Sequence, residues 1–378
     1  MQEKRKLLFL MPSLAGGGAE RTLINLLHKL DYSMYAVDLV LVLNKGPYIS
    51  HVPVNVQIIH LFKHEFLVRV LAWLQKKVGF TYLLKSQTQK RVKGSYDVGI
   101  SFLDGNFTDL LFFIPGLKRR ITWVHSSYKS YRNFARFYEN KNYRDKLKRE
   151  RYGKLDGIYF VSHDSMNEFI EVFGRYPEMR VVYNLIDSAA VVKKSEQLQY
   201  PKGEQFQFVA LGSLLPVKGF DRLIRSAKLI KEQVWEFKII IAGAGPEEQR
   251  LKNMVSEFNL NSTVEFVGFL SNPYPLLKVS DVFVMSSESE ALPTVLCEAM
   301  ILGKPTLVTN CSGCRELVDN GIFGVMAEQD DLNLANKMIE FLSKPELLKY
   351  YHNKSLERAL LFDDNQVLAE YEKILNQN

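Results

Sequence analysis

The sequence has no long apolar run, few cysteines and no internal repeat. No apolar run approaches the roughly 18 residues that a membrane-spanning helix needs. The first apolar stretch ends at Pro12, which favours a first strand over a signal peptide. Three cysteines in 378 residues indicate a reducing compartment. These scarcities predict a cytoplasmic protein without a transmembrane segment.

A metal site is also not expected from the cysteines. Cys311 and Cys314 form a C-x-x-C, a pattern that can indicate redox chemistry or zinc. Tetrahedral zinc needs four ligands, and the sequence has no second such pair. The cysteines therefore predict no zinc site.

Composition and charge predict a folded chain with two unlike halves. An apolar content of 47% and a charged content of 24% are ordinary for globular proteins, and the length suits two domains. Residues 1–190 hold 29 Lys and Arg against 17 Asp and Glu, whereas the remainder holds 20 against 25. This asymmetry predicts different partners for the two halves, the alternative being a solvated basic face.

Strand-like and helix-like runs alternate in both halves, which predicts two α/β layers with parallel sheets. Strands are predicted near Leu7–Met11, Ala36–Leu43, Val98–Phe102, Ile121–Val124, Ile158–Val161, Arg180–Val182, Phe208–Leu211, Lys238–Ala242, Val264–Val267, Val282–Met285 and Thr306–Val308. Helices are predicted over Glu20–Leu30, Phe66–Lys90 and Asn365–Leu375, and from near Lys218, Pro246, Pro293 and Asp331. A polar linker is predicted around 193–197.

The most informative stretch places two glutamates eight positions apart. Glu290 follows a buried strand, and Glu298 falls in the second turn of a helix that Pro293 opens. Backbone N–H groups at a helix N-terminus attract phosphate, and the carboxylates can take sugar hydroxyls. This strand–loop–helix context predicts a site for a phosphorylated sugar.

Four segments resemble the motifs of retaining GT-B glycosyltransferases of family four. Residues 286–300 resemble the E-x7-E signature, and residues 211–221 resemble the phosphate-binding G-R-L-x-P-x-K-G-x-D. Residues 240–246 resemble I-x-G-x-G-P, and residues 16–21 resemble G-G-A-E-R. The resemblance implies a GT-B fold with two Rossmann-like parallel-sheet domains facing a central cleft. It implies an acceptor-binding domain over 1–187, a nucleotide-sugar domain over 188–362 and a C-terminal helix, 363–378, that crosses back.

The resemblance also implies roles for individual residues. Lys218 would bind the donor diphosphate, so that no metal and no cofactor are needed beside the nucleotide-sugar donor. Glu290 would hold the donor sugar. Glu298 would take the ribose hydroxyls, and His125, which closes a strand, would contact the donor sugar. The remaining predicted substrate contacts are Gly17, Gly18, Arg21, Ser213, Gly243, Leu292, Pro293 and Thr294.

Ser213 departs from the family pattern. The family has arginine there as the second arm of the phosphate clamp, and serine carries no charge. Arg21 or Arg315 would compensate, or turnover would be lower; the sequence leaves both open.

A basic amphipathic stretch predicts contact with an anionic membrane. Leu67, Val70, Leu71, Leu74 and Val78 lie at helical spacing among lysines and arginines. A second basic cluster at 118–120 and 146–154 favours the same interpretation. The alternative is a core-packed helix with a solvated face, and no nucleic-acid recognition module is present.

We therefore expect a hexosyltransferase that moves a hexose or N-acetylhexosamine from a UDP-sugar to a growing, lipid-linked, cell-surface glycan. Such an enzyme would act in capsule or lipopolysaccharide biosynthesis at the inner face of the cytoplasmic membrane. Another GT-B nucleotide-sugar enzyme, such as an epimerase, is the alternative activity. A non-catalytic nucleotide-sugar or glycan-binding protein is the alternative from another class, supported by Ser213.

Overall fold

The computed structural model describes residues 3–128, 138–197 and 200–377. The described residues fall in two compact units. Unit 1 comprises residues up to 185 together with those from 365 onward, and unit 2 comprises residues 186–364. Each unit contains its own parallel sheet and its own buried apolar clusters.

Unit 1 contains a parallel sheet with the strand order β3-β2-β1-β4-β5-β6-β7. Its strands are β1 Arg5–Met11, β2 Tyr35–Leu43, β3 Val56–Phe62, β4 Tyr96–Ser101, β5 Leu117–Val124, β6 Gly157–Phe160 and β7 Met179–Val181. Its helices up to residue 185 are α1 Gly18–Lys29, α2 Glu65–Val78, α3 Tyr82–Arg91, α4 Lys141–Glu150 and α5 His163–Phe173. Short 3-10 turns occupy Pro47–His51, Asn106–Phe113 and Tyr152–Lys154.

Unit 2 contains a parallel sheet with the order β10-β9-β8-β11-β12-β13. Its strands are β8 Gln207–Leu211, β9 Lys238–Ala242, β10 Val264–Gly268, β11 Val282–Met285, β12 Thr306–Thr309 and β13 Val325–Ala327. Its helices are α6 Ser188–Ser195, α7 Phe220–Lys231, α8 Glu248–Glu257, α9 Tyr274–Val279, α10 Thr294–Ile301, α11 Ser312–Val318, α12 Asp331–Ser343 and α13 Glu346–Ala359. Its 3-10 turns are Pro216–Lys218, Asp319–Gly321 and Leu360–Phe362.

The prediction of two parallel-sheet α/β layers is confirmed, and two local predictions are wrong. The single helix over 66–90 is two helices, because Gly79 ends α2 in the left-handed region at φ 69°. The linker around 193–197 is partly α6, whose N-terminus the Asp187 side chain caps by accepting from the Ala190 N–H at 2.9 Å. The strands β3 and β13 were not predicted.

The last helix, α14 Asp364–Leu375, packs on the sheet of unit 1. Its Tyr371 ring stacks on Trp123 with the centroids 5.1 Å apart, and both side chains are fully buried. The buried Arg119 of β5 donates to the Ile374 carbonyl at 2.7 Å and to Gln377 Oε1 at 2.6 Å. The helix end is therefore fixed by a cation inside unit 1.

The second predicted basic cluster, at 118–120, is only partly available to a membrane. Arg119 is 7% exposed and makes the internal bonds just described. Lys118 pairs with Asp97 at 2.8 Å, and Arg120 reaches the Leu111 carbonyl. Its positive charge is thus used largely within unit 1.

None of the helices built from the described residues is both long enough and apolar enough to span a bilayer.

Arg119→Ala should lower the free energy of unfolding of unit 1 by roughly 1.5–3 kcal/mol, because hydrogen bonds to a buried cation are lost. The matched control is Lys118→Ala, which breaks an exposed ion pair and should cost about 1 kcal/mol or less. Urea denaturation measures both. Equal effects would show that Arg119 does not hold α14.

Candidate active site

The predicted donor residues of unit 2 surround a point where the strand order reverses. β8 lies between β9 and β11, so chain connections diverge to either side of the β8–β11 pair. Ligands of open α/β sheets bind at such a point, outside the carboxyl ends of the strands. Here the flanking loops are 212–219, after β8, and 286–293, after β11.

Three glycines of the loops after β8 and β9 leave no space for side chains. A Cβ on Gly243 would lie 1.8 Å from the Gly212 carbonyl oxygen, and one on Gly245 would lie 2.4 Å from that of Leu214. Gly219 has φ 62°, and its Cβ would lie 2.1 Å from the Ser286 carbonyl oxygen. The glycines therefore let three backbone segments meet at the carboxyl edge of the sheet.

Hydrogen bonds join the loop after β8 to the loop after β11. Ser286 Oγ donates to the Lys218 carbonyl at 3.1 Å, and the Glu288 N–H donates to the Val217 carbonyl at 2.8 Å. Arg222, which is 9% exposed, donates to the Ser286 carbonyl at 2.7 Å. These bonds fix the backbone of Lys218 against the loop that contains Glu290.

Lys218 and Glu290 form an ion pair, with Nζ 2.6 Å from Oε1. The Lys218 side chain is 26% exposed and that of Glu290 11%. Burial alone would lower the pKa of Lys218, but the Glu290 carboxylate outweighs it and raises the pKa, so the ammonium stays charged. Ser287 Oγ also donates to Glu290 Oε1, at 2.7 Å. The structure thus brings together two predicted catalytic residues.

Helix α11 contacts the backbone that leads into α10. A Cβ on Gly313 would lie 2.2 Å from the Ala291 carbonyl oxygen, and the Gly313 N–H donates to the Glu290 carbonyl at 3.0 Å. Leu292 and Pro293 are buried, and Thr294 is the first helical residue. Pro293 is therefore the N-cap and not, as predicted, the first helical residue.

Glu298 lies in the second turn of α10, as predicted, and is only 2% exposed. Its Oε1 accepts a hydrogen bond from the Tyr274 hydroxyl of α9 at 3.1 Å. The predicted contact with ribose hydroxyls stays a prediction.

Ser213 and Arg315 bear on the predicted phosphate clamp. Ser213 is exposed on the loop after β8, next to the buried Leu214. Arg315 lies on α11, with its guanidinium 3.5 Å from Asn310 Oδ1. Replacement of the missing arginine by Arg315 stays a prediction.

The two cysteines of the C-x-x-C flank Gly313 and are buried. Cys314 Sγ lies 3.4 Å from Met285 Sδ, and burial raises the pKa of the Cys314 thiol well above its ordinary value. Across the described ranges, no group of His, Cys, Asp or Glu has the arrangement of a metal site.

The glycine loop of unit 1 follows β1, which lies beside β4 at a corresponding reversal of strand order. Gly17 is the N-cap of α1 and Gly18 its first residue. Burial raises the pKa of the Glu20 carboxyl, although the backbone N–H groups of Glu20 and Gly17 donate to it. An internal carboxylate therefore occupies this helix N-terminus, and Arg21 donates to the Tyr48 hydroxyl at 3.2 Å.

His125 follows β5 at the carboxyl edge of the same sheet, with its ring 5.2 Å from that of Phe102. Its Nε2 is inaccessible and has no hydrogen-bond partner within the described part of the chain. Burial lowers the pKa of His125 to about 3. The imidazole is therefore neutral at physiological pH.

Sequence reasoning missed the residues that support the ion pair. Within the loop after β11, Ser287 binds Glu290, and Arg222 binds the Ser286 carbonyl from α7. The Thr309 hydroxyl donates to the Ser287 carbonyl at 2.5 Å. Arg222 directly follows the predicted K-G-x-D motif at a helix start, where a basic residue is unfavourable. This unfavourable position is the one feature of the sequence that could have indicated its supporting role.

The match to a known family lies within unit 2. Residues 191–358 match the family model of glycosyl transferases group 1. An uncharacterised glycosyltransferase of Methanocaldococcus jannaschii is 32% identical over 203 residues, which are 46% of this chain and 50% of that protein. A Campylobacter jejuni enzyme, named as an N-acetylgalactosamine-N,N'-diacetylbacillosaminyl-diphospho-undecaprenol 4-alpha-N-acetylgalactosaminyltransferase, is 28% identical over 227 residues. That match covers 59% of this chain and 61% of the enzyme.

The chain spans about half the length of the first curated relatives that it matches. Among solved structures, Anabaena HepE in complex with UDP-glucose superimposes with a TM-score of 0.73 at 20% identity. The superposition covers 98% of this chain and 99% of HepE. The chain therefore has the GT-B fold, and the names of its relatives support a glycosyltransferase.

The depressed pKa of His125 makes stability depend on pH. The unfolded chain takes up a proton below pH 6.5 and the native state does so only near pH 3, so acid favours unfolding. Relative to His125→Gln, the wild-type protein should lose about 1.4 kcal/mol per pH unit below pH 6.5. Urea denaturation at pH 7.5, 6.5 and 5.5 measures this difference.

The control is the same replacement at the exposed His163, compared over the same pH values. A wild-type protein that loses no more stability in acid than His125→Gln would contradict the neutral, buried imidazole.

Proposed function

We propose that this protein is a retaining glycosyltransferase of family four that transfers a hexose or N-acetylhexosamine from a UDP-sugar. The observation that carries the proposal is the Lys218–Glu290 ion pair at the reversal point of the unit 2 sheet. The pair places a charged ammonium and a carboxylate where α/β proteins bind nucleotides. The match of residues 191–358 to group 1 glycosyl transferases supports it.

Lys218 has a different partner before and after the donor binds. In the structure its ammonium is neutralised by Glu290. A donor diphosphate offers more negative charge than one carboxylate and would draw the ammonium away from Oε1. Glu290, still held by Ser287, is then free to accept hydrogen bonds from donor-sugar hydroxyls.

The proposed chemistry is electrostatic and positional. Lys218 would stabilise the negative charge that develops on the departing diphosphate, so the mechanism requires no metal. Retention would follow attack on the same face as the leaving group, whose phosphate would take the acceptor's proton. The neutral His125, Gly17, Gly18 and Arg21 would serve the donor sugar and the acceptor from unit 1.

The proposed acceptor is a growing glycan attached to a lipid. The C. jejuni relative is named for a diphospho-undecaprenol acceptor, and HepE was solved with UDP-glucose. We place the protein in the cytoplasm, peripherally attached at the inner face of the membrane. The support within the chain is α2, on which Phe66, Trp73 and Val78 are 80%, 58% and 69% exposed.

Lys218→Ala should weaken UDP and UDP-sugar alike by about tenfold or more, because both carry the diphosphate. Glu290→Ala should abolish turnover without weakening UDP binding, because its proposed contacts are to the sugar and its loss releases Lys218 for the diphosphate. Calorimetric titration measures affinity, and hydrolysis of UDP-sugars in EDTA measures turnover without the unknown acceptor.

Lys228→Ala, on the exposed face of α7, is the matched charge control and should change neither quantity. UDP-sugar binding without hydrolysis or transfer would favour the non-catalytic binding protein. Wild-type turnover by Glu290→Ala would remove Glu290 from the site, and dependence of turnover on Mg²⁺ or Mn²⁺ would contradict the metal-free mechanism.

Ser213→Arg distinguishes a missing clamp arm from a rebuilt one. If the arm is missing, the new guanidinium adds a charge-assisted contact of roughly 1.5–3 kcal/mol and UDP affinity rises. If Arg21 or Arg315 already binds the diphosphate, the new cation meets a like charge and affinity falls. We expect the fall, because Lys218, Glu290 and the supporting glycines are all in place. Unchanged UDP affinity would mean that residue 213 does not face the phosphates.

A further inference from the structure

A cationic cavity in unit 1 lies beside the turn between α2 and α3. It has a volume of about 270 Å³, and Gly79 and Thr81 of the turn form part of its wall. Four basic and two acidic side chains line it, which are Lys76, Lys146, Arg151, Lys154, Asp109 and Glu150. Its wall therefore carries an excess of positive charge, and its most favourable occupant is an anion.

The charges in the cavity wall differ in how they are compensated. Arg151 is 5% exposed and pairs with Asp109 through two hydrogen bonds, of 2.6 and 3.0 Å. Lys146 lies 3.8 Å from Glu150, and both side chains are about half exposed. Burial and the neighbouring Lys77 lower the pKa of Lys76, so an anion at this place would stabilise its charged form.

Exposed apolar residues are close in sequence to residues of the cavity wall. Val78 and Phe80 flank Gly79, Tyr82 follows Thr81, and Trp73 lies one turn before Lys76 on α2. Tyr82 is 70% exposed, and Phe80 is 40% exposed. A Cβ on Gly79 would lie 3.6 Å from Lys146 Nζ, so this turn is next to the cationic wall. We call Trp73, Val78, Phe80 and Tyr82 the apolar rim.

A second cavity, of about 180 Å³, adjoins the first and shares Lys76, Asn106, Tyr143 and Arg151 with it. It reaches Asp104 and Ser126, which follow the carboxyl ends of β4 and β5. Asp104 accepts hydrogen bonds from the Tyr128 and Tyr152 hydroxyls at 2.5 and 2.9 Å. Carboxylate, amide and hydroxyl groups beside aromatic rings suit the hydroxyls of a sugar.

We propose that the 270 Å³ cavity binds the phosphate head of an isoprenoid-phosphate lipid, with the lipid chain on the apolar rim and the first sugar in the 180 Å³ cavity. Along unit 1, the apolar rim is followed by the cationic cavity and then by the cavity with polar side chains. The lipid, phosphate and sugar of such an acceptor follow one another in the matching order. The inference rests on the proposed transfer to a lipid-linked glycan and identifies where unit 1 holds that acceptor.

Farnesyl diphosphate is a soluble probe that combines the lipid and the phosphate. It should bind in calorimetric titration and change the fluorescence of Trp73, an effect that Trp73→Phe removes. Inorganic pyrophosphate and farnesol, which each carry half of the probe, should bind at least about tenfold more weakly. Pyrophosphate binding as tight as that of farnesyl diphosphate would overturn the proposal in favour of a free-phosphate site.

Two double variants test the two parts of the site. Lys146→Ala with Lys154→Ala should weaken farnesyl diphosphate by about tenfold or more, since two cationic contacts are lost. Phe80→Ser with Tyr82→Ser should weaken farnesyl diphosphate but not pyrophosphate. The matched control, Lys90→Ala with Lys93→Ala, removes two exposed lysines of the same unit outside the cavity wall. An equal loss in the control would show a diffuse basic surface and overturn the cavity assignment.

Binding to vesicles and binding to UDP distinguish the cavity from a general membrane surface and from the donor site. Vesicles of phosphatidylcholine with phosphatidylglycerol test a general membrane surface; vesicle binding without farnesyl diphosphate binding would overturn the proposal in favour of such a surface. UDP affinity, measured on every variant, reports folding and the donor site. UDP binding without farnesyl diphosphate binding would refute this inference alone, whereas the reverse would refute the proposed donor site and leave the cavity assignment standing.

Discussion

The close approach of two loops at the carboxyl edge of the unit 2 sheet is the constraint on which the site depends. Gly219 can pass the Ser286 carbonyl only because it has no Cβ, and Arg222 then binds that carbonyl from within α7. Once these backbones are in register, Lys218 Nζ and Glu290 Oε1 lie 2.6 Å apart. A side chain at position 219 would therefore separate the ion pair and disturb its supporting bonds together.

Internal carboxylates occupy, in both units, positions that we propose for ligand binding. Glu290 neutralises Lys218 in unit 2, and the Glu20 carboxylate accepts from backbone N–H groups at the start of α1 in unit 1. Each carboxylate compensates a buried positive charge or dipole that would otherwise be costly. A phosphorylated ligand bound as we propose would displace a carboxylate, which favours ligands that carry more negative charge than one carboxylate.

The sequence allowed the sheets and the motif loops to be predicted, because buried parallel strands and glycine-rich turns leave strong local patterns. Gly79 shows the limit of such patterns, since the helical spacing continues through a residue that takes a left-handed conformation and ends α2. The bond from Arg222 to Ser286 joins residues 64 positions apart and has no local signature. The hydrogen bonds that Glu20 accepts at the start of α1 also have no local signature, because a glutamate in the first turn is typical of any helix.

The excess of basic residues in the first half overstates the charge that unit 1 can offer to a partner. Arg119 fixes the C-terminal helix, and Arg151 is paired with Asp109. The guanidinium groups of these two arginines therefore stabilise the fold of unit 1. Cations inside the fold contribute to the net charge but can bind a partner only by giving up their internal bonds. The lysines of the 270 Å³ cavity line a space that an anion can enter, and the pair of Lys146 with Glu150 is long, at 3.8 Å. Position, and not the number of charges, therefore decides which basic residues of this half can recognise a phosphorylated lipid.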